Sequence, residues 1–286
     1  MTAYRFCRTD DIALLVDAVN HCWLPYVPDE QPLTPVAFKR SIRDLQVWCS
    51  SCMVAFSGSD PIGVLIGAKR PSGTLVHTIA VHPDHVRQGH GRHLLTSLGS
   101  KLAILGPPRI VAEVPDTRDA ACGLFSACGF VQDALLTDYV LQPEEDDRQE
   151  TPDWFVFPVT VDDLAANGLM GEAHAHLCWE RSVEALTARK TELTGLAVAS
   201  DERIEAFLLC ANGGEDGEGE IVSLRSFVDD DGARLRQLLS RLRARGMRRF
   251  RFSKVQPAEI PTELLRMLGF RPAGTHVRYA ATARSN

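Results

Sequence analysis

Two glycines set one residue apart among arginines and histidines, in VHPDHVRQGHGRHLL (residues 81–95), are the residues of this chain best suited to hold an anion. They follow the apolar run TLVHTIAV and precede a leucine-rich one, so the turn opens a helix. A helix N-terminus carries unpaired amides and a partial positive charge, and glycine lets the backbone approach phosphate oxygens closely. Gly89 and Gly91 therefore suit a pyrophosphate, with Arg87 and Arg92 adding charge-assisted contacts, although the same spacing also fits a plain helix start. There is no Gly-Lys-Ser/Thr and no three-glycine fingerprint, which excludes a P-loop and a dinucleotide site. His77, two residues before Ile79, shares a strand face with Ile79 and Val81 under simple alternation, and histidine is a residue type suited to proton transfer.

The elements that must position these residues are legible around them. A strand is expected from Leu75 to Val81 and a helix from about Gly91 to Leu105, with Leu94, Leu95, Leu98 and Leu102 on one face. Ahead of them SCMVAFSGSDPIGVLIGAKR reads as two strands around a turn; behind them RIVAEV reads as a strand and Ala120 to Ala127 as a short helix. This order is α/β. The second half repeats the plan: GLAVASDERIEAFLLC as a hairpin, EIVSLRSFV as the third strand, LRQLLSRLRARG as the long helix, then RRFRFSKV and ELLRMLGFRP. The copies differ most at the opening turn, where HPDHVRQGHGR becomes DDDGAR. Between them QPEEDDRQETPDW, residues 142–154, has almost nothing to bury, so it is expected to link a domain at 1–141 to one at 155–286.

Composition narrows the rest. A net charge of −6 gives no electrostatic footprint for nucleic acid, and no apolar run approaches the roughly 20 residues that span a bilayer. The N-terminus lacks a basic region followed by an apolar one, so a cytoplasmic location is expected. The cysteines sit at apolar positions as reduced thiols, and Cys49 and Cys52 have no second pair to complete a zinc site. His82, His85, His90 and His93 read as solvated turn histidines rather than metal ligands; Asp229 to Asp231 read as an acidic helix cap without a ligand. The arginines of RLRARGMRRFRF alternate with core residues and read as a solvated face.

The stretch TIAVHPDHVRQGHGRHLL closely resembles motif A of the GNAT acetyltransferase superfamily, and the resemblance continues through AEV and LFSACGF. It implies two tandem GNAT-like domains of α/β (α+β) class, each a mixed, mostly antiparallel sheet flanked by helices, the second a degenerate copy. It implies acetyl-CoA as cofactor. Its pyrophosphate would lie on the amides of Arg87, Gln88, Gly89, His90, Gly91 and Arg92, and its pantetheine arm along Ile79, Ala80 and Val81. Val86 stands where the family has its first Gln/Arg. The implied activity is acetyl transfer to a primary amine of a small molecule or peptide, by a monomer or homodimer. Such a transfer needs a proton acceptor and help for the leaving thiolate. His77 matches a proton-accepting histidine of the arylalkylamine branch, and Glu113 matches a general base of ribosomal-protein acetyltransferases. The family's tyrosine and asparagine fall on Phe125 and Arg118, which the resemblance places beside the cofactor; Tyr139 or Ser126 could replace the missing hydroxyl. The alternative is a non-catalytic acyl-CoA sensor.

Overall fold

The computed structural model describes residues 2–142, 154–170, 177–212 and 218–283; the expected linker lies almost wholly outside them. The chain forms two compact units that do not coincide with its contiguous halves. The first comprises Met1–Ala134 with Val277–Asn286, the second Leu135–His276.

The first unit contains β1 (Thr2–Phe6), α1 (Ile12–Trp23), α2 (Pro35–Leu45), β2 (Met53–Ser57), β3 (Asp60–Arg70), β4 (Gly73–Val81), α3 (His90–Leu105), β5 (Arg109–Pro115) and α4 (Asp119–Ala127). Strands β1 to β4 pair antiparallel in sequence order, and β5 joins β4 in parallel. Strand β3 is buried along most of its length because α1 packs on it as well as α3, so it reads as a continuous apolar run. Leu94, Leu95, Leu98 and Leu102 of α3 meet Leu65, Val76, Ile110 and Ala112 in one core.

The second unit begins within β6 (Val131–Leu141) and continues through β7 (Val156–Val159), α5 (Val161–Ala166), α6 (Val183–Ala188), β8 (Leu193–Ala199), β9 (Ile204–Asn212), β10 (Glu218–Ser226), α7 (Ala233–Ala244), β11 (Arg249–Val255) and α8 (Thr262–Met267) into β12 (Arg271–Thr282). Its order is β6-β11-β10-β9-β8-β7, with β10 and β11 parallel. Leu235, Leu238, Leu239 and Leu242 of α7 face the sheet as the leucines of α3 do.

The repeat is thus real at the level of elements, but the final strand of each copy is exchanged. Tyr139 and Leu141 of β6 lie in the core of the second unit. Val277 and Tyr279 of β12 lie in the core of the first, beside β5. The two strands carry similar apolar patterns, so either satisfies either sheet edge.

Candidate active site

Strands β4 and β5 pair only at Thr74–Ile110 and Leu75–Val111. Beyond that point the β5-facing edge of β4 is open, and β4 leads through a single 3-10 turn, Pro83–His85, into α3. Arg87 and Gly89 both adopt left-handed backbone, with φ of 63° and 87°. A Cβ on Gly89 would meet nothing within 4 Å, so glycine is required there by conformation and not by crowding. Gly91 is the opposite case: its Cβ would sit 3.0 Å from Leu124, which lets the start of α3 close on α4. Among the described residues no amide from Arg87 to Arg92 donates to a protein acceptor, and the first such bond in α3 runs from His93 to the Gly89 carbonyl at 3.0 Å. A row of unpaired amides on a turn with left-handed backbone at Arg87 and Gly89 can cradle an anion. It fits a pyrophosphate.

The corresponding turn of the second unit is shorter, is left-handed at the consecutive Asp231 and Gly232, and is closed by its own side chains. Gly232 caps α7 with φ of 76°, and the amides of Gly232 and Arg234 both donate to the Asp230 carboxylate at 3.1 Å. The Arg234 guanidinium binds that carboxylate at 2.8 Å and Glu205 as well. Beyond the short β10–β11 pairing, the buried Arg181 reaches the Lys254 carbonyl of β11 at 2.9 Å, lies 4.7 Å over the Phe252 ring, and makes a two-pronged ion pair with Glu259.

The candidate residues for proton transfer are placed less simply. His77 is exposed and sits in a β-bulge, because Ile66 pairs with Thr78 but Gly67 with Val76. The bulge breaks alternation: Val76 and Ile79 share the α3 face, so the face expected for His77 from simple alternation does not carry over. Glu113 lies past the last β4–β5 pair, half-buried, on the face of β5 opposite Ala112 and Val114. Tyr139, expected near them, belongs to the other unit, where it is 5% exposed in the core opposite Phe252. The tyrosine that strand exchange delivers to the first unit is Tyr279, stacked on Phe125 at 5.7 Å.

The two other positions that the resemblance places beside a cofactor are Phe125 and Arg118. Phe125 is 2% exposed, held edge-on by Phe130 at 5.1 Å and stacked by Tyr279, so its ring packs in the core. Arg118 caps the start of α4 in the open and lies 5.8 Å over the Trp23 ring. His90 is not solvated: it is 7% exposed, and its Nδ1 shares a 2.6 Å hydrogen bond with the Tyr4 hydroxyl. Burial, then His85 and His93, hold its pKa below the usual histidine value. Tyr4 also packs on His93 with ring centroids 3.8 Å apart, tilted by 34°, and His21 stacks on His82 at 4.6 Å. No cluster of metal-ligating side chains occurs among the described residues. Cys49 and Cys52 are buried, and burial pushes the Cys52 thiol far above its ordinary range.

The segment after α1 makes contacts that the sequence does not reveal. Tyr26 donates its hydroxyl to the Val81 carbonyl at 2.7 Å, and the Trp23 indole donates to Glu30 at 3.2 Å. No motif marks these residues.

The first unit thus combines a parallel strand pair that opens at one end with an unpaired amide turn leading into the adjoining helix. Residues 15–130 match the model of the acetyltransferase (GNAT) family. The fold is similar along 99% of the chain to a GCN5-related N-acetyltransferase from Sphaerobacter thermophilus, covering 96% of it (TM-score 0.66, 13% identity). It is also similar to a tandem GNAT protein of the clavulanic acid biosynthesis pathway, with 100% of each chain covered (TM-score 0.63, 15% identity). A putative acetyltransferase from Pyrococcus horikoshii gives 99% and 90% coverage (TM-score 0.61, 17% identity). None of the curated proteins matches the sequence.

Proposed function

We propose that the chain is an acetyl-CoA-dependent N-acetyltransferase that modifies a primary amine of a small molecule or peptide, with one cofactor site, in the first unit. The observation that carries this reading is the contrast between the two turns: the amides of Arg87 to Arg92 are open to an anion, whereas Asp230 already occupies the matching amides of the second copy. Gln88, His90 and Gly91 offer backbone donors, Arg87 and Arg92 add positive charge, and Ile79 and Val81 lend the open edge of β4. Acetyl-CoA supplies an activated acetyl thioester. The protein's task is then to present the amine in its neutral form, for which His77 or Glu113 accepts the proton.

The sensor reading is favoured by one observation: Phe125 and Tyr139 are both enclosed in cores, which leaves the usual hydroxyl donor of the cleft unreplaced by either. Calorimetry with acetyl-CoA, followed by turnover against a panel of amines, peptides and amino sugars across pH, decides between them. One site with turnover supports the enzyme, and one site without turnover supports the sensor. Two equivalent sites, or none, refute the assignment of the cofactor to the first unit.

A further inference from the structure

Val81 ends β4, and its carbonyl lies on the edge of that strand turned away from β3. The orientation follows from His82, whose amide donates to the Ile62 carbonyl of β3 at 3.0 Å, so the polar groups of the preceding residue point the other way. Strand β5 leaves that edge unpaired beyond Leu75. The Tyr26 hydroxyl fills the place: it donates to the Val81 carbonyl at 2.7 Å from the end of the 3-10 turn Leu24–Tyr26. Burial raises the Tyr26 pKa, which keeps the hydroxyl a donor.

The same segment touches the other lip of the opening. Trp23 lies beneath the guanidinium of Arg118, which caps α4 just after β5, and its indole is tied to Glu30. Pro25 and Pro28 lie on either side of Tyr26 and Val27 and stiffen the chain there. Residues 23–30 therefore form a strap from the end of β4 to the start of α4, across the mouth of the splayed strands.

On the reading that the open edge of β4 receives the pantetheine arm, we infer that Tyr26 is a positioning residue that guards this edge: the strap must release the Val81 carbonyl before an amide of the arm can pair there. The contact is a specific polar bond on a side chain that is 40% exposed, so it can open without disturbing the core. A single intramolecular hydrogen bond contributes modestly in net terms, so its release weakens binding by about 2- to 12-fold.

The test is calorimetry on Tyr26→Phe with two ligands: acetyl-CoA, and the phosphorylated ADP portion of coenzyme A alone, which has the phosphates but no pantetheine arm. The variant should bind acetyl-CoA about 2- to 12-fold more tightly than the wild type and bind the nucleotide portion unchanged. Unchanged or weaker acetyl-CoA binding overturns the inference, and so does equal tightening for both ligands, since that effect would not pass through Val81. A wild type that binds neither ligand overturns the cofactor reading itself, a failure distinct from a wild type that binds both and a variant that behaves the same.

Discussion

Arg87→Asp should move affinity and stability in opposite directions. Asp230 stands two residues before the capping Gly232 and takes the amides of Gly232 and Arg234; Arg87 stands two residues before the capping Gly89. An aspartate at 87 would tolerate the left-handed backbone there and stand two and four residues before the amides of Gly89 and Gly91, the spacing at which Asp230 caps the second copy. The substitution removes one positive charge and adds one negative charge. Against a doubly charged pyrophosphate at about 6 Å in water, each unit charge pair is worth ~0.7 kcal/mol, so the four pairs amount to ~3 kcal/mol, or about 100-fold in affinity. Screening at physiological salt reduces this toward 10-fold. The new cap should meanwhile add about 1 kcal/mol to folding. Calorimetry at low and physiological salt reads the first effect, and urea unfolding of the protein without cofactor reads the second. A variant that becomes more stable yet binds acetyl-CoA within about threefold of the wild type would show that the phosphates do not rest on this turn.

His77→Ala and Glu113→Ala should each lower kcat/KM, by about 100-fold for the true base, and remove its limb from the pH profile while leaving acetyl-CoA affinity unchanged; two variants with wild-type profiles refute both assignments. Glu259→Ala strands the buried Arg181 guanidinium and should cost about 3–5 kcal/mol in urea unfolding, whereas a loss under 1 kcal/mol would mean that the pair is dispensable. His90 has a depressed pKa, so the unfolded chain takes up its proton first as pH falls. The stability it contributes is present above the usual histidine pKa and is lost below it; His90→Gln should flatten that acid limb, and an unaltered slope would refute the role. A single protease cut between residues 142 and 154 should leave both fragments in one peak on gel filtration, because each unit contains a strand segment from the other fragment; fragments that separate would refute the exchange.

Much of this was legible in the sequence for definite reasons. The leucine spacing of α3 specifies one buried face, and the helix begins at His90, one residue from the expected start. The glycine turn could be read because conformation, not neighbours, dictates it. Three features were not legible. The bulge at His77 depends on the register of β3 against β4, which no local pattern records. Tyr139 and Tyr279 occupy matching places in the repeat, so the sequence cannot say which unit each one completes. The strap at Trp23 and Tyr26 acts through partners up to 95 residues away, namely Val81 and Arg118, so spacing gives no sign of it.

The exchange of β6 and β12 also has a temporal side. A chain grows from its N-terminus, and a domain ordinarily closes its core once its own last strand has been made. Here the core holding Phe125 waits for Tyr279. During synthesis the glycine turn therefore exists for most of the chain's growth on an unfinished sheet, with the edge of β5 bare until nearly everything else has been translated. An unpaired edge of that kind is open to wrong partners, and premature termination anywhere in the second half would leave the first unit incomplete even though every residue proposed for its chemistry had already been made. The second copy is thus indispensable as the bearer of the last strand its sibling needs, whatever else it does.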